Sequence, residues 1–315
     1  MHDFRFGFNT SGLRSARELA ERCRDGEERG YDIVLGTDHL TNGSPFLPLV
    51  VASQATERMR VGTLTTNNEF WNPALLAREA ITVDYLTEGR LELGLGAGHM
   101  KWELDAAGIP WRRIGERVDR LTEAVKELRR LFAEGVDEPE SGVATREAFG
   151  RSELKPVQRH GFGGSGPPLL IGGTGDRVLR LAAENADIIG LGGLYQIKGE
   201  PPGTFQMTTA AEARERVAYI RGCAGERADQ LEINALVQLV AITDDRRGLA
   251  ENLVAQQAPY FTVDEALETP FALIGTVEQI AEQLRENRER LGISYITVHE
   301  PYMREFAPVI EKLRG

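Results

Sequence analysis

A closed barrel of eight parallel strands, each followed by a helix, is the fold class that this sequence predicts. Three observations predict it: short apolar runs alternate with amphipathic stretches of helical length along the whole chain, no period-2 runs pair as hairpins, and no linker splits the composition in two. Repeated strand–helix units force neighbouring strands parallel, and eight of them close as a (β/α)8, TIM-type, barrel. The 315 residues suit one such domain with insertions, since these barrels run to about 250 residues and more. An open doubly wound sheet is the competing architecture.

The elements follow in order. Arg5 to Asn9 reads as strand one, and the helix from Ser15 to Arg29 carries Ala16, Leu19, Ala20 and Cys23 at helical spacing before closing at Gly30. Ile33 to Gly36 is strand two, running into Thr37-Asp38-His39, with a helix from Leu47 to Glu57 behind it. Arg60 to Thr66 is strand three, Pro73 to Thr87 a helix opened by its proline, and Leu91 to Gly96 strand four. A long amphipathic helix covers Gly115 to Phe132. Leu169 to Ile171 and Asp187 to Leu191 are strands five and six around a helix from Asp176 to Asn185. A helix from Ala210 to Cys223 leads to strand seven, Ile233 to Ile242, and then to a helix from Arg247 to Gln257. Val277 to Leu291 is a helix stopped by Gly292, Tyr295 to Val298 is strand eight, and Met303 to Leu313 is a terminal helix. The unpatterned stretches at about 99–115, 134–168, 192–207 and 260–275 are expected as insertions in a single barrel domain spanning 1–315.

Composition narrows the function. Lys and Arg number 37 against 48 Asp and Glu, a net charge of −11, which speaks against a general nucleic-acid or anionic-membrane surface. Met1-His2-Asp3-Phe4-Arg5 lacks the basic-then-apolar run of a signal peptide, and no apolar stretch is long enough to span a bilayer, so a cytoplasmic location is expected. Cys23 and Cys223 sit in helix-like segments without metal-ligand spacing and read as structural thiols. His2, His160 and His299-Glu300 show no zinc spacing, so no metal is expected. The 34 glycines exceed the roughly 22 expected at an average usage of about 7 %.

In a barrel the loops after the strands share one rim, which gathers Asn9, Asp38-His39, Thr65 to Asn68, Gly96 to His99, Gly172 to Gly175 and His299-Glu300. A rim histidine beside a carboxylate, as in Asp38-His39, can be held in one tautomer and move a proton near neutral pH, or it can simply cap the next turn. His99 occupies the matching position after strand four, so the two histidines can flank one reacting atom. Leu64-Thr65-Thr66-Asn67 ends strand three where a bulge would aim backbone amides at a ligand ring. Gly94, Gly96 and Gly98 lack Cβ and admit either a ligand or a neighbouring strand. Gly172-Gly173-Thr174-Gly175 opens the helix that begins Asp176-Arg177; free amides at a helix start bind phosphate, and Arg177 can add charge. It is not a Walker loop, because the lysine before Ser or Thr is missing. Of Trp71, Trp102 and Trp111, Trp102 lies three residues beyond His99 and is the one assigned to the pocket, together with Asn9 and Glu300.

Taken together, Thr37-Asp38-His39, Gly62 to Asn68 leading into Asn72-Pro73-Ala74-Leu75, Gly89-Arg90-Leu91-Glu92-Leu93-Gly94-Leu95-Gly96-Ala97-Gly98, Gly172-Gly173-Thr174-Gly175 and Ile274-Gly275-Thr276-Val277-Glu278 resemble the bacterial luciferase-like superfamily. Length and the Asp-His pair resemble its coenzyme F420-dependent oxidoreductases, and the motifs keep their order from about Phe4 to Leu313. The resemblance implies a barrel that holds a flavin or deazaflavin ring at the rim, with Asp38 beside it and His39 transferring protons. It implies a bulge with a non-proline cis bond at Leu64-Thr65 against one ring face. Gly96, Ala97, Gly98 and His99 would flank the ring, and Gly172 to Gly175 would cradle phosphate.

The activity implied is hydride transfer between the deazaflavin C5 and a small organic substrate. Sugar-phosphate dehydrogenases of this subgroup carry glutamate where His99 stands, which puts a sugar phosphate in doubt. The alternatives are an FMN-dependent luciferase-like monooxygenase using reduced flavin and oxygen, and, from another class, a non-catalytic flavin-binding paralogue. A reductase or dehydrogenase supplying reduced cofactor and a second copy of the chain in a homodimer are the expected protein partners.

Overall fold

The computed structural model describes residues 2–12, 14–135, 154–256, 258 and 260–315. Its strands are β1 (Arg5–Thr10), β2 (Ile33–Gly36), β3 (Arg60–Thr63), β4 (Thr66–Asn67), β5 (Leu91–Gly96), β6 (Leu169–Gly172), β7 (Ile188–Leu191), β8 (Leu194–Gln196), β9 (Phe205–Met207), β10 (Glu232–Val237), β11 (Leu239–Ile242), β12 (Ala272–Gly275) and β13 (Ile293–His299). The main sheet runs β3-β2-β1-β13-β10-β7-β6-β5-β4, and β3 also pairs with β5, so the sheet closes. With β4 continuing β3, this is a parallel (β/α)8 barrel.

Alternation along each strand sorts side chains between two cores. Phe6, Phe8, Leu91, Leu93 and Leu95 point outward into the buried layer under the helices. Ile33, Leu35, Leu170, Ile188 and Tyr295 form a separate cluster inside the barrel, with Leu64 packed on it. The first residues of several strands add charge below it. Arg5 donates to Glu92 at 2.5 Å and to Glu232 at 2.6 Å, while Arg60 donates to Glu92 at 2.6 Å. Arg5 also lies 4.5 Å above the Tyr295 ring, closing the N-terminal end.

Several connections carry more structure than their composition suggests. Strand three breaks at Leu64-Thr65, where the peptide bond is cis. The expected seventh strand divides at Gln238: its amide donates to Phe271 O at 2.8 Å, and β11 leaves the barrel to pair with β12. The stretch from Tyr260 to Gly275, expected as irregular, therefore holds both a helix, Val263–Glu268, and β12. A strand pattern shows which residues alternate but not which neighbour they join, and Pro270 masks the short run after it. Within 192–207, β8 and β9 pair as an antiparallel hairpin. Within 99–115 lies the helix Lys101–Ala106. Of the 134–168 stretch, 136–153 lie outside the described residues. Among the described residues no helix is long and apolar enough to cross a membrane.

Candidate functional site

His39 follows β2, and its Nδ1 stands 2.9 Å from Glu103 Oε1 on the helix Lys101–Ala106. The same oxygen accepts the Leu40 amide at 3.2 Å. His99, just after β5, packs edge-on against His39 with ring centroids 5.4 Å apart, and Phe205 of β9 packs on its other side at 5.7 Å. His99 has an exposed side yet is ringed by protein atoms. Desolvation, with smaller contributions from His39 and Arg117, pushes its imidazole down to about 4. Arg117 is buried, stacks 3.8 Å above Trp111 and donates to Gly98 O. Burial favours its uncharged form and pulls its guanidinium below the usual range.

Asp38 has a different role from the one its position suggested. Its Oδ2 accepts the Asn67 amide at 2.9 Å and the Trp71 indole N–H at 2.8 Å, so it ties β2 to the end of β4, and the carboxylate on His39 belongs to Glu103. Burial raises the Asp38 carboxyl against these two hydrogen bonds. Behind it Glu69, fully buried, accepts from Arg112 at 2.8 Å and Arg120 at 2.9 Å.

The glycine arm has a mixed cause. A Cβ on Gly94 would lie 1.9 Å from Thr63 O, one on Gly96 2.5 Å from Thr65 Oγ1, and one on Gly98 2.5 Å from Asn67 Oδ1. At Gly172 it would meet Thr65 Cγ2 at 2.9 Å and at Gly173 Val178 Cγ1 at 2.5 Å. Close packing within the chain accounts for these five, and it joins Thr65, Asn67, Gly96, Ala97, Gly98 and Gly172 into one wall. Gly175 is different: nothing lies within 4 Å of its Cβ position. It caps the helix Asp176–Asn185 without a side-chain bond, and the amides of Thr174, Gly175, Asp176 and Arg177 have no partner among the described residues. Open amides at a ten-residue helix start suit an anion.

Four expected residues stand elsewhere. Arg177 turns to Asp119 and Gly115 O on the surface, away from the open amides. Trp102 is 51 % exposed because the helical register that turns Glu103 inward turns its neighbour out. Glu300 is held by Arg14 at 2.6 Å and Arg22 at 3.2 Å. Asn9, at the end of β1 beside β2, has its Nδ2 3.1 Å from His299 Nδ1, whose Nε2 is 3.2 Å from Gln238 Oε1, a polar string along the ends of β1, β13 and β10. Burial lowers the His299 pKa.

Glu103 and Gln238 were not named from sequence, while Trp71 and His299 were placed near the rim but given no site role. The one signal for Glu103 was its place four residues after His99, in the stretch that follows strand four. A polar cleft of about 430 Å³ opens elsewhere, lined by Arg214, Arg246, Glu268, Gln283, Asn287 and Arg290 among others. It holds none of the strand-end groups, and barrel chemistry comes from the loops after strands, so we place the site at the rim.

A family model described as luciferase-like monooxygenase matches residues 4–295. The chain belongs to this family. It is 25 % identical over 312 residues to the 5,10-methylenetetrahydromethanopterin reductase of Archaeoglobus fulgidus, covering 90 % of each chain. It is 37 % identical over 129 residues to the F420-dependent glucose-6-phosphate dehydrogenase of Intrasporangium calvum, a match spanning only 38 % of this chain and 39 % of that relative. A solved structure of an F420-dependent secondary alcohol dehydrogenase in complex with an F420-acetone adduct superposes with a TM-score of 0.70 at 18 % identity, covering 99 % of this chain and 98 % of the other; at that identity the likeness concerns the fold. As a member of the family, this chain is a flavin- or deazaflavin-dependent oxidoreductase.

Proposed function

We propose that this protein is an F420-dependent oxidoreductase that moves a hydride between the deazaflavin C5 and a small organic substrate, with His39 as proton donor or acceptor. The observation that carries this reading is the packing of His39 on His99, with centroids 5.4 Å apart, at the end of a glycine wall. Open helix-start amides stand on that same rim. The relative from Intrasporangium calvum, named for F420 dependence, supports the cofactor choice. The residues fit such a group: the amides of Thr174 to Arg177 would hold a phosphate, and Leu64 and Thr65 would back the ring.

When bound in reduced form, the deazaflavin supplies a hydride from C5 to an electron-poor carbonyl or double bond, and accepts one in the reverse direction. The chain supplies orientation and the proton. His39 gives its proton to the substrate oxygen as a carbonyl becomes an alcohol, and takes it back when the alcohol is oxidised. His99, held neutral at pH 7, offers a hydrogen bond without a competing charge. Phe205, carried in on the β8–β9 hairpin, covers one side of the His99 ring. A homodimer and an enzyme that replenishes reduced cofactor are the partners this reading expects.

Turnover tests it. Reduced F420 should be oxidised by a panel of small ketones and activated alkenes, and His39→Ala should lower the rate by about 10²- to 10⁴-fold while F420 binding is kept. Oxygen uptake with reduced FMN, and no turnover with F420, would contradict the reading.

A further inference from the structure

We infer that Glu103 is a positioning residue that keeps the proton on His39 Nδ1, so that Nε2 is the atom that exchanges a proton with substrate. The inference rests on the proposed role of His39 and adds to it the group that sets its working atom. An ionised carboxylate only accepts hydrogen bonds, so the 2.9 Å approach of Glu103 Oε1 to Nδ1 requires an N–H there. The Leu40 amide donates to the same oxygen at 3.2 Å, which holds that oxygen between backbone and ring.

Burial and charge single this carboxylate out. Glu103 is 1 % exposed, and among the described residues His39 is its one salt-bridge partner. The neighbouring buried carboxylates have other partners: Glu69 has two arginines and Asp38 has an indole and an amide. A buried carboxylate without Arg or Lys is costly unless hydrogen bonds satisfy it, and here an imidazole N–H and a backbone N–H do so. The contact also spans 64 residues of sequence, from the end of β2 to a helix inserted after β5, so it is made only in the folded barrel. Nδ1 carries its proton in both the neutral and the charged ring, which leaves Nε2 as the site of gain and loss.

The test separates tautomer from cofactor. In the cofactor-free protein with ¹⁵N-labelled histidine, long-range ¹H–¹⁵N spectra, assigned by the signal missing in His39→Ala, should show His39 protonated at Nδ1 and bare at Nε2 in its neutral form. Glu103→Leu should move it to the Nε2–H form that free histidine favours in water. Glu103→Gln, which keeps an acceptor oxygen, should retain Nδ1–H and shows that the fold survives substitution. With cofactor and substrate, Glu103→Leu should lower kcat about 10- to 100-fold with KM changed far less, and Gln should restore most of it. A wild-type His39 carrying Nε2–H, or a Leu variant still carrying Nδ1–H, would overturn the inference. The expected spectra without F420 turnover in any variant would instead count against the cofactor reading alone.

Discussion

His99 carries a pH dependence whose sign follows from its surroundings. Its pKa falls from the ordinary 6.5 to about 4, so between these values the unfolded chain binds a proton that the folded one refuses. Stability from the neutral ring is therefore present above about 6.5 and is lost as pH falls through about 4. Water reaches one side of the ring, so the effect is smaller than the shift alone implies. Chemical denaturation from pH 7 to 4 should show wild type losing more stability than His99→Gln; parallel curves would contradict this. Asp38, His39 and His99 were legible in the sequence because strand alternation locates strand ends, and strand ends locate the rim. Glu103 and Trp71 were harder, because whether a short inserted segment faces inward depends on what it packs against. Adjacency in sequence also suggested that the Asp38 carboxylate holds the His39 ring, whereas its Oδ2 meets Asn67 and Trp71 and the carboxylate on His39 is that of Glu103.

Among the elements, the start of the helix Asp176–Asn185 is the one on which a ligand and the fold make separable demands. Gly173→Val would strike Val178 and disturb packing, whereas Gly175 has φ −80°, ψ 150° and empty space at its Cβ position. Gly175→Leu should leave thermal unfolding within about 0.5 kcal/mol of wild type. It should weaken F420 by about tenfold or more by covering the open amides, as read by titration. Unchanged affinity would remove the phosphate from this helix start. The eight barrel strands were legible from their apolar runs, but the turning-out of β11 at Gln238 was not. Ile233 to Ile242 reads as one strand because its pattern does not record that the Gln238 amide finds Phe271 rather than a barrel neighbour.

For the whole molecule, the barrel divides stability from chemistry. Arg5, Glu92, Glu232 and Arg60 close the N-terminal end, far from the rim loops, and burial pushes the Glu232 carboxyl up to about 7 against the pull of Arg5. Arg5→Met would leave two buried carboxylates short of a partner and should cost about 3–5 kcal/mol in denaturant unfolding. Turnover per folded molecule should not change; a loss of turnover at full folding would mean that the two ends are coupled. Closure of the sheet was legible from eight repeated units, because a parallel sheet of that size with its helices outside has few other ways to bury both faces. The charged plug was not, since alternation alone does not say which strands bring their first residues together. In the proposed function the rim around His39, His99 and the Gly172–Gly175 arm takes a deazaflavin. Its most direct test is titration of the purified protein with F420 and, in parallel, with FMN, followed by fluorescence quenching. Saturable F420 binding at micromolar or lower concentration and weaker FMN binding are expected; tighter FMN binding, or saturation by neither, would contradict the F420 reading.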